Sequence, residues 1–438
     1  MHLNIALIKM AEDLMSVRYF LITLATGLTL GLYKLSFPMQ KNEITATPSC
    51  CQTPTSKSLN LVILTIFLRA DLHLDLKHFQ RFQIWHLYNQ ISLDITPEQL
   101  GSRAIKFKNV IHLIIKILHL KPALIQGGEP YDFPTQLPLI IATIITSRLL
   151  RIPYYFPTFE NIPPEKKFAE IKRLGIPLSP LIIPFIKWLA RGYSKNAMII
   201  FALNNNAKRN MIQLGIPDKK IVQLMYGTWG VDTDLFTNIL NGTEPDMGQY
   251  GILFVGRLIE SKGLNVLLPA FEKVKHRLPD AQLFIIGEGP LKNELFRRAT
   301  NLGVASSVHI LGPILNHKLP PYFRAARVTV TPSLSTRRWI EQVGMVNIQS
   351  MACGTPVIST WSGAIPEYVI DGKTGILVPE NDVFALTEAI IRLLTDEQLH
   401  RQLAHNAREY ALQYYDTRRN IQKVEEVLLE HLNRYDKL

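Results

Sequence analysis

Short β-branched runs alternate with longer stretches of helical period along most of the chain, the pattern of a parallel α/β layer. In the first half, Asn4–Ile8, Leu61–Phe67, Ala123–Gly128, Pro153–Phe159, Ala197–Leu203 and Ile221–Tyr226 read as strands, and Ile105–Leu118 and Thr135–Leu150 as helices. Gln40–Lys57, rich in Thr, Ser, Pro and Lys, reads as a loop or insertion, and the pattern leaves the strand order between 35 and 100 open. A second series starts near Tyr250. Its strands are Gly251–Gly256, Ala281–Gly287, Ser307–Gly312, Arg327–Ser333 and Thr355–Ser359. The helices between them are Leu264–Arg277, one opening at Pro290, Lys318–Ala325 and Met345–Gly354; Asp382–Leu394, Asp396–Tyr414 and Thr417–Tyr435 follow.

Two such series, joined through the polar, turn-rich stretch Gly230–Tyr250, predict two Rossmann-like domains facing across a cleft. The expected division is 1–230, 231–415 and a C-terminal helix, 416–438, packing back toward the first domain.

Composition is that of a globular protein, 47% hydrophobic and 19% charged over 438 residues, so no disulfide or metal staple is needed. The three cysteines, Cys50, Cys51 and Cys353, show no metal-ligand spacing, and a reducing cytosol is the expected setting. Lys9, Glu12 and Asp13 interrupt the N-terminus, so no secretory signal is expected there. The uncharged run Tyr19–Tyr33 falls short of the ~20 residues that cross a bilayer and reads as a buried helix. Charge does change the picture. Residues 1–230 hold 26 Lys+Arg against 13 Asp+Glu, whereas the remainder holds 22 against 23. The basic excess belongs to the first half, which is expected to meet something anionic or to present a basic solvated face.

The candidate chemistry lies in the second half. Gly256–Gly263, "GRLIESKG", joins a strand to a helix and carries Arg257 and Lys262 between its edge glycines. Such a joint aims free backbone N–H groups and the positive helix end outward, and a planar guanidinium plus an ammonium suit a diphosphate. "GEGP", with Gly287 and Gly289, repeats the geometry one unit later. In "WIEQVGMVNIQSMACGTPVIST" (Trp339–Thr360), Glu341 precedes Gly344, the next helix opens at Met345 and Val346, and Gln349 lies inside it. A carboxylate beside bare helix-start amides grips a polyol, so the expected ligand is a sugar linked to a phosphate.

With these stretches and "GVDTDLF", "FIIGEGP" and "SGAIPEYVIDGKTGILVPENDVFALTEAI", the chain resembles glycosyltransferase family 4, the retaining enzymes of GT-B architecture. The resemblance is strong over 195–415 and only in outline before it. It implies transfer of a sugar from a nucleoside diphosphate donor, held by the C-terminal domain, to an acceptor held by the N-terminal domain, with retention and without a metal or other cofactor. On this resemblance Arg257 and Lys262 match the pair that neutralises the diphosphate, and Glu341 the first acid of the family's paired-glutamate motif. Gly344, Met345 and Val346 match the segment whose amides line sugar and phosphate. Gln349 stands where the family's second acid holds the ribose, and exchanging a carboxylate for an amide weakens that contact.

The His-x-His that many relatives carry in the first half is absent. Gly127, Gly128, Glu129 and Asp132 stand in its place, with Glu160 one strand later, as acceptor-side candidates or as helix caps. His86 reads as a core histidine. The stretch 163–195 pairs lysines and arginines with a run of apolar residues that includes Phe185 and Trp188, which fits peripheral contact with an anionic membrane at its inner face and a lipid-linked, polysaccharide or small-molecule acceptor. The competing readings are a degenerate nucleotide-sugar-binding protein and, more weakly, a nucleotide-sugar epimerase. Nucleic acid is not an expected partner, since no recognition helix or aromatic-interleaved basic pattern is present.

Overall fold

Along Leu59–Leu68 the side chains alternate between two apolar layers, Leu61 and Ile63 entering one and Val62 and Leu64 the other. A strand buried on both faces needs neighbours on both edges and helices above and below. The computed structural model supplies them; it describes residues 58–435 apart from 93–94, 133–134, 164–165, 167–178 and 338. The expected strand at Asn4–Ile8, the helix at Tyr19–Tyr33 and the loop Gln40–Lys57 lie outside the described residues.

The first half runs β1 (Leu59–Leu68), α1 (Ala70–His73), β2 (Phe82–Ile91), β3 (Ala104–Lys106), α2 (Val110–Leu120), β4 (Leu124–Gln126) and α3 (Leu137–Leu150). It continues with β5 (Tyr154–Thr158), α4 (Ser179–Asn196), β6 (Ile200–Ala202), α5 (Asn205–Gln213) and β7 (Ile221–Gln223). The strands form one parallel sheet in the order β3-β2-β1-β4-β5-β6-β7. Two expectations change here. Ile105 belongs to β3, and the helix expected from that residue starts at Val110, where Asn109 caps it by accepting from the His112 amide at 2.9 Å. The open region contains the ten-residue strand β2, whose charge-poor sequence "FQIWHLYNQI" runs alongside β1.

The second half runs β8 (Gly251–Val255), α6 (Leu264–Arg277), β9 (Gln282–Ile286), α7 (Lys292–Asn301), β10 (Val308–Gly312), α8 (Pro320–Ala325) and β11 (Val328–Thr331). Then come α9 (Met345–Ala352), β12 (Val357–Thr360), α10 (Ile365–Tyr368), β13 (Ile376–Val378), α11 (Val383–Thr395), α12 (Glu397–Tyr414) and α13 (Thr417–Tyr435). Its parallel sheet has the order β10-β9-β8-β11-β12-β13.

The chain passes from one sheet to the other at Gly230–Val231 and returns at Tyr415–Asp416. The two passages hydrogen-bond to each other, Val231 N to Tyr415 O at 2.8 Å and Thr417 N to Val231 O at 3.1 Å. Gly230 (φ +104°) is required there, because a Cβ would stand 2.1 Å from the Tyr415 carbonyl oxygen. After the return, α13 buries Ile421, Val424, Leu428 and Leu432 against the first sheet beside Trp229 and Phe79. Glu425 fixes its register by accepting from the amides of Gln80, Arg81 and Phe82 at 3.0, 2.7 and 3.2 Å. The described residues from Ser58 on hold together as one unit, within which the chain changes sheet.

His86 is buried in β2 in a chain of hydrogen bonds that fixes its tautomer. His73 Nε2 donates to the Leu100 carbonyl at 2.8 Å, so His73 Nδ1 is bare and accepts from His86 Nδ1–H at 3.0 Å. His86 Nε2 then accepts from the Thr65 hydroxyl at 3.0 Å. With both rings neutral every group is satisfied, and burial holds both below the ordinary histidine range, His86 down to about 3. The unfolded chain takes up protons below about pH 6.5 while the native one does not, so stability is held above that pH and falls as pH drops toward 3. His86 alone should remove about 2 kcal/mol at pH 5. Urea unfolding at pH 7.5 and 5.0 measures this, and His86→Asn should reduce the difference; an unchanged pH slope in that variant would assign the loss to other groups.

Candidate active site

In an open parallel sheet, loops leave a crevice where neighbouring strands send their connections to opposite sides. In the second sheet that point lies between β8 and β11. The loop after β8 is Gly256–Gly263 and the loop after β11 runs from Pro332 to Gly344, so sequence-distant residues converge there. Leu334 N donates to Ser261 O at 2.8 Å, joining the two loops. A third turn is laced to the first, with Leu258 N donating to Glu288 O at 2.9 Å and Leu291 N to Leu258 O at 3.1 Å. Gly287 and Gly289 allow this approach, since a Cβ on either would meet the carbonyl oxygen of Gly256 or Leu258 at 1.9 or 2.4 Å. Their role in the structure is backbone packing behind the Arg257 loop.

At the convergence, Lys262 Nζ donates to Glu341 Oε2 at 2.5 Å, and the Ser333 hydroxyl donates to the same oxygen at 3.0 Å. The ion pair is largely removed from water, with side-chain exposures of 19% and 9%. Arg257, exposed, lies over the Trp339 indole at 5.3 Å from its centroid, and the Lys262 ammonium lies 5.8 Å from the same ring. Gly344 (φ +79°) opens α9, leaving the half-buried Met345 and Val346 at its first turn. The structure thus brings Lys262 and Glu341 into contact and Arg257 beside them.

Gln349 is buried in α9 and donates from Nε2 to Asn316 Oδ1 at 2.8 Å. Its NH₂, which the sequence left in search of an acceptor, already has one in a loop that follows β10. Its carbonyl oxygen keeps its capacity to accept.

The first half meets this site through asparagines that sequence reasoning passed over. Asn161 Nδ2 donates to the Glu341 backbone carbonyl at 2.5 Å, and Asn204 Nδ2 to the Gln342 carbonyl at 3.1 Å. The Glu341 carbonyl also accepts from Ala364 N at 2.9 Å, in the "SGAIPE" loop. No periodicity marks Asn161; the only signal was its place at a strand end in "FEN". Asn161 Oδ1 and Trp339 Nε1 are buried here without a hydrogen-bond partner, leaving one acceptor and one donor beside Glu341.

The acceptor-side candidates divide. Glu129 is buried, and its Oε1 accepts from the Thr158 hydroxyl at 2.6 Å and from the amides of Phe159 and Glu160 at 3.0 and 3.1 Å. It shapes the turn that carries Asn161. Glu160 Oε1 accepts from Ile162 N at 2.9 Å in the same turn, and Asp132 accepts from Gln136 Nε2 at 3.3 Å in the turn before α3. Gly127 and Gly128 are packing positions: a Cβ on Gly127 would stand 2.0 Å from the Tyr193 hydroxyl, and one on Gly128 2.9 Å from Gln136 Oε1. Cys353 is buried at the end of α9, and burial pushes its thiol up to about 12, which leaves it unreactive.

Residues 236–410 match the sequence profile of the family described as Glycosyl transferases group 1. That stretch is similar to a group 1 glycosyl transferase domain. It is 33% identical over 207 residues to a GDP-mannose-dependent alpha-(1-6)-phosphatidylinositol monomannoside mannosyltransferase of Mycolicibacterium smegmatis, covering 45% of this chain and 54% of that protein. A D-inositol 3-phosphate glycosyltransferase of Corynebacterium jeikeium is 33% identical over 200 residues, 42% of this chain and 46% of the relative. The chain thus spans about half the length of the curated relatives it matches. The crystal structure of Anabaena HepE in complex with UDP and glucose superposes with a TM-score of 0.67 at 17% identity, over 85% of this chain and all of that one. The fold is GT-B.

Gly263 sets the whole convergence. It is left-handed (φ +70°), caps α6, and a Cβ would stand 1.8 Å from the Pro332 carbonyl oxygen. Gly263→Ala should cost more than about 2 kcal/mol, since left-handed strain and a backbone clash add. Denaturant unfolding measures it; a loss below about 0.5 kcal/mol, the range of a neutral surface change, would show that the loops do not press together as described.

Proposed function

We propose that the chain is a retaining glycosyltransferase of family 4, moving a sugar from a nucleoside diphosphate donor to a hydroxyl of an acceptor reached from the first half. The observation that carries this reading is the Lys262–Glu341 contact at the switch point between β8 and β11, inside the matched domain. An ammonium has three donors, so Lys262 can keep Glu341 and still bind a phosphate oxygen. Arg257 adds a second cation at the same mouth. Glu341 is then the acceptor for hydroxyls of the transferred sugar, with the Gly344, Met345 and Val346 backbone beside it.

Retaining transfer without an enzymic nucleophile places the chemistry on the leaving group. As the sugar–oxygen bond stretches, negative charge grows on the diphosphate and positive charge on the sugar. Preorganised cations and helix-start amides stabilise the first change at little reorganisation cost, which makes electrostatics the main term. The leaving phosphate oxygen takes the acceptor's proton on the same face. The reading calls for no metal, because Arg257 and Lys262 meet the charge that a metal would otherwise meet.

The acceptor side follows the neighbours' chemistry only in outline. The Mycolicibacterium smegmatis relative is named for a phosphatidylinositol monomannoside, and a lipid-linked acceptor suits the basic first half better than a polysaccharide or a neutral small molecule. Among the described residues no helix is long and apolar enough to cross a membrane. A peripheral place at the inner face of a membrane, with 163–195 in contact, fits that acceptor. The second reading, a nucleotide-sugar-binding protein without transfer, is favoured by the Gln349–Asn316 bond, which commits the Gln349 NH₂ to an internal partner. Slow release of free sugar from UDP- or GDP-sugars without acceptor supports transfer, and binding without release supports the second reading.

Lys262→Ala should lower turnover ~10²–10³-fold, as loss of an oxyanion-type donor does. Undiminished turnover would remove Lys262 from the diphosphate. Gln349→Glu should tighten nucleotide binding about tenfold, a charged acceptor replacing a neutral one while the Asn316 amide turns its NH₂ toward it. Titration calorimetry reads this directly, and unchanged affinity would place the ribose elsewhere.

A further inference from the structure

We infer that the helical layer formed by α2, α3, α4 and α5 is a docking face for an anionic lipid bilayer. The inference stands on the surface of the first half alone and not on the transfer reaction. These four helices all turn apolar residues toward one buried layer on one side of the first sheet: Leu113 and Ile117, Leu139 and Ile140, Tyr193, and Met211. Their opposite faces form a continuous flank of the molecule.

That flank has two properties that do not coexist on an ordinary solvated surface. First, no Asp or Glu occurs in any of the four helices. Their charged residues are all cationic, and Arg148, Lys187, Arg191, Lys195 and Arg209 are exposed. Lys208, in α5, pairs with Asp218 at 2.9 Å. Second, large apolar side chains stand in water on every one of these helices: Ile111 and Ile115, Leu149, Phe185 and Trp188, and Ile212. Trp188 is 70% exposed and stacks on Phe185 with ring centroids 6.0 Å apart, which presents a rigid aromatic pair outward. A groove between α3 and α4, floored by Tyr154 and Tyr193, opens beside that pair and carries Arg148 and Arg151.

Exposed aliphatics alone would fit a second copy of the chain. A two-fold interface, however, sets a face against itself, and here it would oppose helices whose charged residues are all cationic. Stacking on nucleic acid needs planar side chains, whereas Ile111, Ile115, Leu149 and Ile212 are aliphatic. An acidic bilayer supplies both requirements together: phosphates for the cations at head-group depth, and acyl chains for the side chains that reach past them. The docking face is thus a layer of four helices, of which the stretch 163–195 expected from sequence contributes one.

Flotation of the full chain with phosphatidylcholine vesicles, with and without about 30% phosphatidylglycerol, tests the inference. Binding is expected only with the acidic lipid, and it should weaken as salt shortens the screening length. Each cation removed should cut the partition coefficient about fivefold, so Arg148→Ala, Arg191→Ala and Lys195→Ala together should lower it about 100-fold. Phe185→Ser with Trp188→Ser should lower it at least tenfold and abolish the blue shift of tryptophan emission on binding. Circular dichroism and the thermal midpoint check that the variants fold, and donor hydrolysis in their presence keeps this result separate from the catalytic reading. Equal binding to neutral vesicles, indifference to the cation substitutions, competition by inorganic phosphate at millimolar concentration, or a vesicle-independent dimer that Phe185→Ser and Trp188→Ser dissociate would each overturn it.

Discussion

The backbone of Glu341 is held from two directions at once. Its carbonyl accepts from Asn161, at the end of a strand of the first sheet, and from Ala364, in a loop of the second. Its carboxylate is fixed by Lys262 and Ser333. A residue gripped by main chain and side chain has few ways to rotate, so the carboxylate and ammonium keep their mutual spacing before any ligand arrives. That rigidity matters because electrostatic stabilisation costs least when the dipoles are already in place. It also ties the site to the junction between the halves. Asn161 sits on a turn shaped by Glu129, so this carboxylate helps determine where the second half's acid stands.

The junction is reinforced away from the site. Leu203 and Met225 of the first half belong to the same buried cluster as Val343, Ile365 and Tyr368 of the second. Glu367 accepts from the Asn205 amide and from the Gln223 side chain, and burial raises its carboxyl above the ordinary range. The paired passages at Val231 and Asp416 close the other side. An acid, an amide network and an apolar cluster therefore frame the loop that bears Glu341, and the strand ends of both sheets point into that frame.

Period and punctuation made most of the second half legible. Leu264–Arg277 and Thr417–Tyr435 fall on the same residues in sequence and structure, because a clean 3.6-residue stripe is bounded by Gly263 in one case and by the turn at Asp416 in the other. β2 was not legible. Its polar His86, Asn89 and Gln90 break the apolar run, and only the partners Thr65 and His73 show why a histidine is tolerated there. The short β3 was absorbed into a helix for a related reason: "AIKF" joins "VIHLIIKIL" without a breaker other than Asn109. At the site, Lys262 and Glu341 could be named from loop chemistry, since a basic residue at a helix start and an acid before another are local signals. Asn161 and Asn204 could not, because an asparagine at a strand end caps a turn far more often than it spans two domains, and which it does depends on a surface that sequence pattern does not reveal. Gln349 lies between these cases: its departure was visible, its partner Asn316 was not.

The uneven charge of the chain acquires a physical meaning from this arrangement. In the second half, near neutrality overall, the two site cations converge on one crevice, Lys262 largely removed from water beside the Glu341 carboxylate and Arg257 exposed over the Trp339 indole, an arrangement that suits one small, highly charged ligand. In the first half the cations are spread over an exposed flank, where each interaction is screened and only many together hold a partner. A single phosphate could not exploit that flank, and an extended anionic surface could not enter the crevice. The flank runs along the side of the first sheet, whereas Glu129, Asn161 and Asn204 mark the strand ends that face the second half. A surface held against the flank therefore lies beside the crevice rather than across it, leaving both the Lys262–Glu341 site and the strand-end turns open.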